Sequence, residues 1–226
     1  MKRLFAMVLS AAMMLSLAAC GVSARTEIPS AGDVDASNET NSQSDDTAQA
    51  EGGGNMLVAY FSLAGEQYGV GVIEEGNTSI IAHMIAEQTG ADLFEIEAAA
   101  PYPTSHSELL DVSRQEMASN ARPEIADTVD NMDSYDTIFI GYPNWWGDMP
   151  MIVYGFLESY DLSSKTIVPF CTHGGSGLSN TESTIADITG GTMKDGLAIP
   201  GSTAQTDRDT ARNDVARWLK ENGYVE

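Results

Sequence analysis

From residue 56 to the C-terminus, short unbroken apolar runs alternate with stretches whose apolar residues recur at helical spacing. Residues 56–61 (Met-Leu-Val-Ala-Tyr-Phe) have no polar break, the pattern of a strand covered on both faces. Further strand candidates are 92–97 with Leu93, Phe94 and Ile96, 137–142 with Ile138, Phe139 and Ile140, 166–171 with Ile167, Val168 and Phe170, and a weaker run around 196–199. Between them the spacing predicts helices. One is capped by Thr78 or Ser79, carries Ile81, Met84 and Ile85, and stops at Thr89-Gly90. Others are predicted over 105–118 with Leu109, Leu110, Val112 and Met117 inward, over 151–159, over 179–188, and over 207–222 with Val215, Trp218 and Leu219 inward. Each crossover must return the chain to the same end of the sheet, so the expected fold is α/β: a doubly wound, five-stranded parallel sheet with helices on both faces.

The first 55 residues follow neither pattern. Met-Lys-Arg opens onto an apolar stretch over 4–19 that is shorter than a spanning helix needs, the layout of an export signal. Leu17-Ala18-Ala19-Cys20 resembles the lipobox of bacterial lipoproteins, which implies cleavage before Cys20 and its lipidation. Residues 21–55 contain no aromatic, and Val22, Ile28 and Val34 are their only large aliphatics, so they bury too little to offset ordering entropy. The expected organisation is a signal peptide over 1–19, a lipidated cysteine and flexible acidic linker over 20–55, and one domain over 56–226. The expected location is the cell envelope, on the outer side of the cytoplasmic membrane, held there by lipid alone.

Charge narrows the function. The chain carries 33 Asp and Glu against 11 Lys and Arg, a net charge of -22, which loss of Lys2 and Arg3 with a leader would take to -24. Such a surface repels phosphate backbones and anionic lipid, so nucleic-acid binding and polybasic membrane docking are excluded. Two cysteines make no disulfide scaffold, and the histidines show no metal-ligand spacing. No hydrolase elbow, dinucleotide fingerprint or phosphate-loop Gly-Lys-Ser/Thr occurs.

In a doubly wound sheet, ligands bind beyond the carboxyl ends of the strands, which singles out three loops. The first runs from Ser62 to Thr78 and meets a helix at Gly76-Asn77-Thr78-Ser79, where free amides and the helix dipole attract a phosphate. It contains no Lys or Arg, so an anion there would be held by dipoles. The second is Tyr142-Pro143-Asn144-Trp145-Trp146-Gly147, two adjacent tryptophans that either pack on the domain or are covered by a flat ligand. The third is Thr172-His173-Gly174-Gly175-Ser176-Gly177, whose glycines let backbone groups approach a ligand edge.

In order and spacing, Tyr60-Phe61-Ser62, Tyr-Pro-Asn-Trp-Trp over 142–146 and Cys-Thr-His-Gly-Gly-Ser-Gly over 171–177 resemble a branch of the flavodoxin-like family. The resemblance implies strand order 2-1-3-4-5 and noncovalent FMN. It implies that Ser62, Asn77 and Thr78 hold the phosphate, that Pro143, Asn144, Trp145 and Trp146 border the ring, and that Thr172, His173, Gly174, Gly175, Ser176 and Gly177 meet its other edge. The chain departs from ordinary flavodoxins by an insert over 66–75, whose Glu66, Glu74 and Glu75 are expected to face solvent or a partner. The function so implied is electron transfer through FMN to a redox partner protein or a small quinone-like acceptor. The alternatives are an FMN-dependent NAD(P)H or quinone reductase, or a lipid-anchored binding module without redox turnover. Cys171, ending a buried strand, reads as a core residue.

Overall fold

A computed structural model describes residues 55–226. The expectations for 1–54, among them the signal peptide and Cys20, lie outside the described residues. Strands β1 (Met56–Tyr60), β4 (Asp92–Glu95), β5 (Thr137–Pro143) and β6 (Thr166–His173) pair in parallel in the order β4-β1-β5-β6. The next position is shared by β7 (Thr192–Met193) and β8 (Leu197–Pro200), both parallel to β6. In order of sheet position this is 2-1-3-4-5, but the last strand is two pieces rather than the single run expected at 196–199. The break has a local cause: the Gly196 amide donates to Glu182 Oε1 at 2.9 Å instead of to the ladder.

Alternation along each strand divides the core between the two faces. Leu57, Ala59, Phe61, Ile138, Ile140 and Tyr142 point to one face, where α3 (Met151–Glu158) packs with Ile152, Val153, Phe156 and Leu157. Val58, Tyr60, Phe139, Val168 and Phe170 point to the other, under α1 (Asn77–Thr89) and α6 (Arg208–Glu221). Both faces are covered over the central strands, which is why β1, β5 and β6 read as nearly unbroken apolar runs, whereas the edge strand β4 is largely exposed.

Helix starts differ from the sequence reading at one important place. Gly76, not Thr78 or Ser79, is the N-cap of α1, and its own residue type offers no capping oxygen. Ser62 replaces the missing cap from outside the helix, its Oγ accepting from the Ser79 amide at 3.0 Å. Ser105 caps α2 (His106–Ser119), whose only buried residues are Leu109 and Ser113. Met117, expected inward, is 44% exposed. This leaves α2 a surface helix with little packed beneath it.

The insert is structured. β2 (Gly65–Gln67) and β3 (Gly71–Ile73) form an antiparallel hairpin with Tyr68 at its tip, and Gly69 and Gly71 there take positive φ. Both ends are fastened. The Glu66 amide donates to Thr104 O at 2.8 Å and its carboxylate accepts from the His106 amide at 3.0 Å. At the other end Arg208 bonds Glu75 at 3.0 Å, and Gln205, from α5 (Gly201–Thr206), donates to the Glu75 carbonyl at 2.7 Å. Helix α4 (Thr181–Thr189) packs beside α3, and among the described residues no helix is long and apolar enough to cross a membrane.

Candidate functional site

Beyond the carboxyl ends of β1, β5 and β6 lies a cavity of about 540 Å³, within the range of small-molecule sites. Of the thirteen residues expected to hold a cofactor, nine line it: Asn77 at the start of α1, Pro143, Asn144, Trp145 and Trp146 after β5, and Thr172, His173, Gly174 and Ser176 after β6. Ser62, Thr78, Gly175 and Gly177 do not line it; each has a supporting contact instead.

Ser62 sits behind the helix start in a smaller cavity of about 210 Å³ that it shares with Glu74, Glu75 and Glu95. Burial and the neighbouring Glu97 raise the Glu95 carboxyl above its usual value, and burial beside Glu95 pushes the Tyr60 phenol up to about 12. This side of the α1 start is acidic and unsuited to a phosphate. Thr78, fully buried, shares a hydroxyl hydrogen bond of 2.8 Å with Thr172 and so ties α1 to β6.

On the main-cavity side the helix start is open. Ser62 takes the Ser79 amide, and among the described residues no acceptor reaches the Asn77 or Thr78 amide. Asn77 Oδ1 is buried with no hydrogen-bond partner, an expensive state for a polar atom unless a ligand supplies a donor.

The two tryptophans divide the roles that their sequence leaves undecided. Trp145 packs edge-on against Phe61 and Tyr102, with ring centroids 5.6 and 5.9 Å away, and so joins the core while lining the cavity. Trp146 is 45% exposed, with its Nε1 donating to Ser113 Oγ at 3.1 Å and the Arg114 guanidinium 4.4 Å from its ring centroid. The split comes from the backbone. Trp145 and Asp148 exchange hydrogen bonds of 2.8 and 2.9 Å around Trp146 and Gly147, both at positive φ, a type I′ turn with a tryptophan where glycine or asparagine is usual.

Asn144 holds this turn to the third loop. Its Nδ2 donates to Gly177 O at 2.9 Å and Ser179 Oγ at 3.2 Å, its Oδ1 accepts from the Gly147 amide at 3.1 Å, and its own amide donates to Thr172 O at 2.8 Å. With every polar group of the side chain engaged, Asn144 is a strut between the loops.

His173 Nδ1 accepts from the Gly175 amide at 2.9 Å, so the neutral ring carries its proton on Nε2. Burial lowers the imidazole below its usual value and keeps it neutral. The unfolded chain therefore takes up the proton first as pH falls. Burial of the neutral ring costs nothing extra above the ordinary imidazole value of 6.5, and stability is lost as pH falls below it, because the buried ring resists protonation that the unfolded chain accepts. We expect the thermal midpoint to drop on acidification through this window, and to drop less in His173→Gln; equal slopes would remove His173 as the cause. Cys171 is buried, its Sγ facing Gly177 O at 3.2 Å and its thiol pushed up to about 12 by burial, so it is a core residue rather than a nucleophile.

More of the wall comes from residues of the first loop that were not singled out as ligands and from a helix that the loop reading did not include. Gln67 and Tyr68 belong to the hairpin; His106, Leu109, Leu110, Ser113 and Arg114 belong to one face of α2. The positions 106, 109, 110 and 113 have the i, i+3, i+4, i+7 spacing of a single stripe, a signal present in the sequence but indistinguishable there from an ordinary packed face. Glu66, Glu74 and Glu75 are all absent from this wall.

Residues 55–221 match the family model described as flavodoxin. No curated protein matches the chain. Among solved structures, candidate flavoproteins from Bacteroides eggerthii and Bacteroides uniformis are each 31% identical, with TM-scores of 0.59. Each alignment covers 74% of this chain, and 96% and 99% of the respective relatives. A flavoprotein from Lactobacillus acidophilus in complex with FMN is 21% identical with a TM-score of 0.53, covering 73% of this chain and 97% of its own.

Proposed function

Because the chain belongs to the flavodoxin family, we propose that its main cavity binds FMN noncovalently and that it serves as a redox protein of the cell envelope. The observation that carries this reading is the buried, unpartnered Asn77 Oδ1 beside the free Asn77 and Thr78 amides: together they ask for a ligand with both hydroxyl donors and an anionic group, as a ribityl phosphate has. The FMN in the 21% identical Lactobacillus flavoprotein supports the same choice.

The fit extends to the ring. Trp146, held by Ser113 and Arg114, offers an aromatic wall, and the backbone of Thr172 to Ser176 offers polar groups along the opposite loop. When bound, FMN supplies one- or two-electron chemistry, and the protein supplies orientation and environment. His173 presents a neutral Nε2–H donor in the wall, fixed by its Nδ1 bond to Gly175. Thr78 and Thr172 lock the floor, and Asn144 keeps the two loops at a set separation.

A carrier that docks with a redox partner protein is the simplest form of this function. A specific observation favours the second form, a reductase of a small quinone-like acceptor. The Tyr68 tip reaches the Gly174 backbone and lies 6.2 Å from the His106 ring, roofing the cavity beside the ring-binding loops. We place the protein outside the cytoplasmic membrane, tethered through a lipidated Cys20 and the 21–55 linker, on the strength of Leu17-Ala18-Ala19-Cys20.

One sample tests both parts. The native protein, purified from its membrane fraction, is expected to show flavin absorbance bands with FMN at about one per chain and a mature N-terminus at a diacylated Cys20. A colourless protein that leaves FMN fluorescence unquenched would sink the cofactor reading. An unmodified Cys20, or recovery from the cytosol, would sink the anchor.

A further inference from the structure

We propose that the α2 side of the cavity is a second ligand site that takes a small planar aromatic anion, such as an aromatic carboxylate or sulfonate, as the partner of the flavin. The inference rests on the FMN reading for what fills the loop side, and on the wall itself for the rest.

The first observation is electrostatic. Acids outnumber bases by 33 to 11 in the chain, yet no Asp or Glu lines this cavity, and its one permanent cation is Arg114. The carboxylates of the insert are turned elsewhere: Glu66 to the His106 amide, Glu75 to Arg208, Glu74 to the smaller cavity. A small anion inside is thus shielded from a surface that repels large ones.

The second observation is shape. The Arg114 guanidinium lies over the Trp146 ring, 4.4 Å from its centroid, and Leu109 and Leu110 extend the apolar wall along α2. Tyr68, at the tip of the hairpin, closes the space from above: a Cβ added to Gly174 would stand 2.9 Å from its Cδ1. Aromatic faces and aliphatic side chains around a single guanidinium select a flat apolar body bearing one negative group.

The third observation concerns the guanidinium's existing partners. Its ion pair with Asp111 is long, 3.7 Å, and made by side chains that are 55% and 83% exposed. A pair of that kind is weak and leaves the fork of N–H donors available to a desolvated anion.

The Arg114 cation has one rival occupant, the FMN phosphate itself, and the test separates the two. The full chain, loaded with FMN, is titrated by equilibrium dialysis with a naphthalene sulfonate and with the uncharged naphthol, as wild type and as Arg114→Gln. The wild type should prefer the sulfonate. Arg114→Gln should lower sulfonate affinity about tenfold, the scale of one charge-assisted hydrogen bond, leave naphthol affinity unchanged, and alter FMN and riboflavin affinity by the same factor, because Arg114 reaches the cofactor wall only through Trp146. Tyr68→Ala should weaken both naphthalene probes. Equal sulfonate affinity in wild type and Arg114→Gln would overturn the proposal. So would a loss of FMN affinity in that variant with riboflavin unaffected, which would give Arg114 to the phosphate. If FMN does not bind at all, the cofactor reading fails, while the same dialysis on the FMN-free protein still decides whether Arg114 selects the anion.

Discussion

Gly141→Ala is expected to lower the thermal midpoint by roughly 10 °C, more than any surface change, through about 3 kcal/mol of overpacking at the centre of the sheet. Gly141 is buried in β5 between Tyr60 of β1 and Phe170 of β6, its register partners. The Phe170 ring lies across it, and the Cζ, Cε1 and Cε2 atoms occupy the space a methyl group would need. Relief is blocked because Phe170 is itself fully buried among Phe139, Val168 and Ile199. The ring's position can be tested by coupling: Gly141→Ala with Phe170→Leu should be markedly less unstable than the sum of the two single variants, since the shorter side chain vacates the contested space. Strict additivity would mean that the clash lies elsewhere. The change also reaches the site, because Gly141 O accepts from the Phe61 amide at 2.9 Å, and Phe61 supports Trp145.

The same strand shows why much of the fold was legible. A parallel sheet covered on both faces leaves an apolar residue at nearly every strand position, so β1, β5 and β6 appear as runs whose ends are close to those found. The helices predicted over 105–118 and 207–222 begin at the residues that cap α2 and α6, Ser105 and Asp207, each accepting from an amide of the turn it starts. What failed depended on contacts distant in sequence. The start of α1 is capped by Ser62, 17 residues back, which no local motif signals. The last strand breaks because Glu182 takes the Gly196 amide. The hairpin has two three-residue strands, too short for a period-two pattern, and it is held by contacts to Thr104, His106 and Arg208, all distant in sequence.

At the site, the three loops were legible because their composition was costly to explain otherwise: paired tryptophans, and four glycine or serine residues after a buried strand. Individual roles were not. Asn144 lines the cavity but its side chain is engaged between the loops, and Thr78 keeps a free amide at the helix start while its hydroxyl is bonded to Thr172. The α2 wall was missed because a stripe of His106, Leu109, Leu110 and Ser113 looks the same whether it covers a core or a cavity. Only the finding that α2 buries just Leu109 and Ser113 distinguishes them.

Trp146 carries the second large effect, and it separates backbone strain from ligand binding. A tryptophan at φ 59 costs on the order of 1–3 kcal/mol, which the hydrogen bond to Ser113, the Arg114 stack and the Asn144 strut must hold in place. Trp146→Ala and Trp146→Gly both remove the ring, the Ser113 bond and the stack. They differ in the backbone alone, because glycine accepts positive φ and alanine does not. Trp146→Gly is therefore expected to be more stable than Trp146→Ala by about 1 kcal/mol in denaturant unfolding. Both should lose FMN affinity by about tenfold or more, the scale of one aromatic stacking partner. Equal stabilities would mean that the turn relaxes once the ring is gone, so that the strain is a consequence of the Arg114 and Ser113 contacts and not of the turn. Unchanged FMN affinity in both would take Trp146 out of the cofactor wall and leave it as the floor of the anion site beside Arg114. The predicted outcome, a stability gap between two variants that bind FMN equally poorly, requires that the turn keep its shape after the ring it displays is gone.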